Sequence, residues 1–126
     1  MIGILLITHG TFGESLVQNV SHILGARPAL IGQLGVLAQD NPPALLPQAR
    51  AALKEVDDGA GVLIMTDMLG ASPSRLAREL LEPGRIEGVA GLNLPMLLRA
   101  LTYRQQEMAV LVQKTLSGGR EGVINM

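Results

Sequence analysis

A chain of 126 residues, 48% hydrophobic and 17% charged, has the length of one domain and enough apolar mass for a core, which excludes a disordered chain. Its net charge of −1 and aromatic content of 2% offer nucleic acid neither an electrostatic footprint nor stacking platforms, and offer an anionic membrane no attraction. The absence of cysteine removes disulfides, thiolate catalysis and cysteine-ligated zinc, and fits a cytoplasmic protein.

The opening run Ile2 to Ile7 (IGILLI) is continuously apolar, as expected of a strand covered on both faces. It is too short to span a membrane and has no basic region before it, so neither membrane insertion nor a signal peptide is expected. Gly13 to Leu24 follows as a helix, with Leu16, Val17, Val20, Ile23 and Leu24 as its apolar stripe and Gly25 as its stop. Ala29 to Leu37 is a second strand, weakened by Gly32 and Gly35. Asn41-Pro42-Pro43 leads into a helix striped by Leu45, Ala49, Ala52, Leu53 and Val56, whose regular part starts near Pro47.

Ala60 to Thr66 is the clearest strand, and Ser72-Pro73 reads as N-cap and first residue of the helix after it, which carries Leu76, Ala77, Leu80 and Leu81 up to Pro83-Gly84. Ile86 to Leu92 is a fourth strand. Helices are expected over Pro95 to Tyr103 and Gln105 to Leu116, then a turn at Ser117-Gly118-Gly119 and a short segment Gly122 to Asn125. No repeat or linker interrupts residues 1–126, so one domain is expected.

Strand alternating with helix predicts an α/β fold, a doubly wound, mainly parallel four-stranded sheet of order 2-1-3-4 with helices on both faces. The switch point then lies between the first and third strands, where ligands gather at the carboxyl ends. The first strand ends at Thr8-His9-Gly10 and the third at Thr66 to Pro73, so the topology sets His9 beside Asp67 and the start of the third helix.

Each of these groups has a use in phosphoryl transfer. An imidazole with one unprotonated nitrogen is a nucleophile toward phosphorus. A carboxylate accepting from the other nitrogen fixes the tautomer and stabilises the cation formed on attack. A helix start offers N–H groups to phosphate oxygens, Gly70 permits close backbone approach, and the Ser72 hydroxyl adds a donor. A lone histidine at a strand end is more often a turn residue, and it is the convergence with Asp67 that singles out His9. His22 lies on the polar side of its helix. The methionines read as core filler, and no dinucleotide fingerprint, P-loop or metal cluster is present, so no cofactor or metal is expected.

The motifs Thr8-His9-Gly10, Asp67 to Pro73 (DMLGASP), Gly91 to Leu97 (GLNLPML) and Gly119 to Val123 together resemble the enzyme IIA domain of the mannose family of the bacterial sugar phosphotransferase system, over essentially the whole chain. The resemblance implies that His9 takes a phosphoryl group from the histidine phosphocarrier protein and passes it to an enzyme IIB partner. It implies that Asp67 orients His9 and that Gly70, Ala71 and Ser72 hold the phosphoryl group. It also implies a homodimer in which a short C-terminal strand pairs with the partner's sheet. The chain departs from the family pattern at Ala71, where a glycine is frequent, and at Phe12 and Leu69, where tryptophan is frequent. The sequence stops at Met126 without a fused enzyme IIB domain, which leaves the acceptor open and allows a regulatory role without transport. Two other readings remain: the phosphotransfer subunit of a dihydroxyacetone kinase, and a non-enzymatic flavodoxin-like binding module.

Overall fold

The apolar run at the start of the chain becomes β1 (Gly3–His9), whose residues from Gly3 to Thr8 are all buried. The computed structural model describes residues 1–126. β1 lies between β2 (Ile31–Val36) and β3 (Val62–Thr66), and β4 (Ile86–Ala90) completes the sheet beyond β3, in the order β2-β1-β3-β4 with every pair parallel. This is the order the alternation of elements predicts. Because the strands run the same way, the residues after His9, Val36, Thr66 and Ala90 all emerge at one edge.

Side chains alternate across a strand, so one sheet supplies two cores. Ile4, Leu6, Leu63 and Met65 meet α1 (Phe12–Leu24), α4 (Leu94–Tyr103) and α5 (Met108–Glu121) on one face. Leu5, Ile7, Val62 and Ile64 meet α2 (Leu46–Val56) and α3 (Ser72–Arg78) on the other. Pro42 to Leu45 forms a 3-10 turn ahead of α2, which places Pro47 in the first turn, where its missing N–H costs nothing. At the opposite edge of the sheet the buried Arg104 donates to the carbonyls of Ile2, Ala29 and Leu30, at 2.9, 2.6 and 2.7 Å. Burial pushes its pKa down, while the charge of Asp58 acts in the other direction.

Two expectations are corrected here. Ile23 and Leu24 are exposed, so the buried stripe of α1 ends at Val20. Ser117-Gly118-Gly119 is no turn but the last part of α5. The reason is tertiary. Asn93 caps α4 by accepting from the Met96 N–H at 2.8 Å and donates to the Gly119 carbonyl at 3.1 Å, drawing α5 onto α4. A Cβ at Gly118 would stand 2.4 Å from Arg99 Cβ, so the closeness of the two helices requires glycine there and overrides its poor helix propensity. After α5 the chain is irregular, and the short C-terminal strand is not formed within the single chain; Val123, Ile124 and Met126 are exposed. No helix is long and apolar enough to cross a membrane.

Candidate functional site

The site is built where β1 turns into α1. His9 is the last residue of β1, paired with Val36 of β2, and Gly10 follows with φ 51°, a left-handed value that suits glycine. The turn is tied down from two sides. The Gly10 N–H donates to the Val36 carbonyl at 2.9 Å, and the Gly13 N–H donates to Thr8 Oγ1 at 2.8 Å. Gly35, which weakens the strand signal of β2, is required by this turn: a Cβ there would lie 2.1 Å from the Gly10 carbonyl oxygen.

Asp67 follows the last residue of β3 and reaches across to β1. Its Oδ2 accepts from the His9 backbone N–H at 3.0 Å and stands 2.8 Å from His9 Nδ1, while its Oδ1 accepts from the Met68 N–H at 3.1 Å. Burial opposes ionisation of this carboxyl, but the bonds from the His9 backbone and ring, with the charge of His9, prevail and hold its pKa below the usual carboxylate range. An ionised Asp67 can only accept, so in the neutral imidazole the proton sits on Nδ1 and Nε2 carries the free lone pair. The His9 side chain is 53% exposed and that of Asp67 only 16%, so the orienting group is sheltered while the ring faces out.

The loop from Met68 to Ala71 lies next to this pair in the chain. Gly70 has φ 89°, and its N–H donates to Ser74 Oγ at 2.8 Å, which in turn donates to the Ala71 carbonyl at 3.1 Å. Ala71, not Ser72, is the N-cap of α3, and Ser72 is the first helical residue and makes no capping bond. Ser72 is thus corrected as a cap, and the loop is closed instead by the buried Ser74. Sequence reasoning passed over Ser74 because Ser72-Pro73 already matched a cap; the serine four residues beyond Gly70 was the available signal. The Ser72 hydroxyl accepts from Arg75 Nη2 at 3.4 Å. Of the residues singled out, His9 and Asp67 are joined directly, Gly70 and Ala71 lie in the loop after Asp67, and Ser72 opens α3. His22 is exposed on α1, outside this cluster.

His9 lines none of the three principal clefts of the surface, which are walled by other residues. It stands on an open rim, with Phe12, Leu37, Met68 and Leu69 as exposed large apolar side chains that follow the ends of β1, β2 and β3. No group of three or more metal-ligating side chains is assembled.

Residues 3–115 match the EIIA-man family, described as the PTS system fructose IIA component. The chain is 32% identical over 125 residues to the PTS system mannose-specific EIIAB component of Escherichia coli (strain K12), covering 97% of itself and 38% of that protein. It therefore spans about two fifths of the length of that relative. It is 29% identical over 106 residues to the PTS system fructose-specific EIIA component of Bacillus subtilis (strain 168), covering 83% and 72% of the two chains. Among solved structures, the phosphotransferase system component EIIA from Streptococcus agalactiae superposes with TM-score 0.86 at 25% identity, over 99% of this chain and 97% of that one. The mannose/sorbose specific IIA subunit from Enterococcus faecalis superposes with TM-score 0.87 at 23% identity, over 99% and 94%, and shows the same fold.

Proposed function

The chain belongs to the EIIA-man family of phosphotransferase system IIA components, and from that premise we propose that His9 is its phosphoryl carrier. The observation that carries the reading is the 2.8 Å contact between His9 Nδ1 and Asp67 Oδ2, because in the neutral imidazole it keeps the proton on Nδ1 and leaves the Nε2 lone pair free on an exposed ring. In the forward step the Nε2 lone pair attacks the phosphorus of a phosphohistidine on the histidine phosphocarrier protein. The new N–P bond forms as the donor's N–P bond breaks, and its electron pair returns to the donor imidazole. His9 then carries the phosphoryl group on a ring whose Nδ1–H faces the Asp67 carboxylate, so the positive charge of the ring is offset where it develops. Passing the group on reverses these roles, with a nucleophile of an enzyme IIB partner as the attacker.

Residues 1–126 act in this reading as one mannose-type enzyme IIA domain in the cytoplasm, paired as a homodimer. The Met68 to Ser72 loop holds the phosphoryl oxygens: Gly70 and Ala71 shape the backbone, and Ser72 presents its hydroxyl and an N–H that lies at the helix start. Two proteins must approach closely for transfer, and the open position of His9 with its apolar rim suits that better than a small-molecule pocket would. The relatives are named for mannose and fructose. We therefore assign no sugar to this chain, since its own role ends at the acceptor protein.

The test is reconstitution from phosphoenolpyruvate, enzyme I and the histidine phosphocarrier protein. The protein should take up one acid-labile phosphoryl group and lose it when a cognate enzyme IIB is added. A protein that stays unlabelled while the phosphocarrier is charged contradicts the reading and returns the flavodoxin-like binding module to first place.

A further inference from the structure

Arg75 has an ordinary partner within reach of its sequence position and does not use it. Glu79 stands four residues on, the spacing at which helical arginine and glutamate pair, and both side chains line the cleft formed with Asn41, Pro42, Pro43, Leu46 and Leu76. Yet Arg75 takes part in none of the ion pairs, which are those of Met1, His9, Arg85 and Arg99. Its exposed guanidinium turns back along α3 and donates from Nη2 to Ser72 Oγ at 3.4 Å. Arg75 stands in the last turn of the seven-residue α3, where the peptide dipoles favour a cation, and its guanidinium nonetheless reaches back to the first helical residue.

The bond also decides what Ser72 can do. A hydroxyl has one proton to give and two lone pairs to receive with, whereas a guanidinium only donates. With Arg75 donating, Ser72 Oγ is the acceptor and its own proton is left to point away from Arg75. We propose that Arg75 is a positioning residue for the transfer: it holds the Ser72 hydroxyl as a donor toward the phosphoryl group on His9, and its charge behind that hydroxyl favours the fully ionised phosphoryl. This rests on the phosphocarrier reading and adds to it a cation that the sequence motif Asp67 to Pro73 does not contain. Arginine stays charged at any working pH, so the arrangement is present before the phosphoryl arrives.

The experiment uses the full chain phosphorylated by the histidine phosphocarrier protein, as wild type, Arg75→Gln, Arg75→Lys, Ser72→Ala and the Arg75→Gln/Ser72→Ala double variant. Arg75 is exposed, and melting curves confirm that each variant is folded. Phosphorus NMR then follows the ionisation of the phosphoryl group across neutral pH. In Arg75→Gln the midpoint should rise by roughly half a pH unit, and phosphoryl uptake should slow by about ten-fold. Arg75→Lys, which keeps the charge, should return the midpoint most of the way to the wild-type value. Because Arg75 acts through Ser72, the double variant should be slowed less than the product of the two single effects. A wild-type midpoint in Arg75→Gln, or fully multiplicative rates, would overturn this role while leaving His9 as carrier. A wild type that takes up no phosphoryl at all would overturn the carrier reading and this proposal with it.

Discussion

Asp67 is the residue on which the chemistry of His9 turns, because one carboxylate oxygen holds both the ring and the backbone of the histidine. Replacing it by asparagine keeps a similar shape but removes the charge, so Asp67→Asn should stay folded and accept phosphoryl about 10²–10⁴ times more slowly in stopped-flow transfer. The same group makes a pH prediction. Its pKa is lowered on folding, so it contributes stability that is fully present above the ordinary aspartate value of about 3.9 and is lost as pH falls through the lower folded value. The gap in melting temperature between wild type and Asp67→Asn should therefore be open at neutral pH and close in acid. A gap that widens in acid would contradict the assignment. The two serines of the loop should separate cleanly. Ser74 is buried and bonded on both sides, so Ser74→Ala should cost about 1–3 kcal/mol in denaturant unfolding. Ser72→Ala removes no cap and should cost less, with its effect on rate smaller than that of Asp67→Asn.

At the scale of elements, the sheet order and the meeting of His9 with Asp67 were legible because both follow from local signals. Apolar runs mark the strands, and parallel connection alone brings the ends of β1 and β3 together. What was not legible depended on neighbours distant in sequence. Gly35 reads as a flaw in β2 until the Gly10 carbonyl is seen against it. Gly118-Gly119 reads as a break until α4 is seen packed on α5. The expected capping serine is no cap, since Ala71 holds that position, and it is Ser74 inside the helix that closes the loop, through a bond from Gly70 that the Ser72-Pro73 signal hides. The α4–α5 contact gives a counter-intuitive test. Alanine is the better helix former, yet Gly118→Ala should destabilise the protein by about 1–3 kcal/mol in denaturant unfolding, since its Cβ would meet Arg99 Cβ. A more stable Gly118→Ala would mean that the two helices are not held this close.

At the scale of the whole molecule, the sheet leaves β2 and β4 as edges, and the chain leaves Val123, Ile124 and Met126 uncovered. Exchange of that segment between two copies would cover both kinds of surface, and it is the basis of the homodimer proposed here. Glu121 pairs with Arg99 at 2.9 Å, so a chain ending at Gly122 keeps the helix end intact while losing the tail. Light scattering over a dilution series should find the full chain dimeric and the shortened one dissociating at higher concentration; equal affinities would refute exchange. The account as a whole stands on His9. Intact mass spectrometry after charging by the histidine phosphocarrier protein should show one added phosphoryl group on wild type and on His22→Ala, lost on acid treatment, and none on His9→Ala. Persistent label on His9→Ala, with none on His22→Ala, would contradict it.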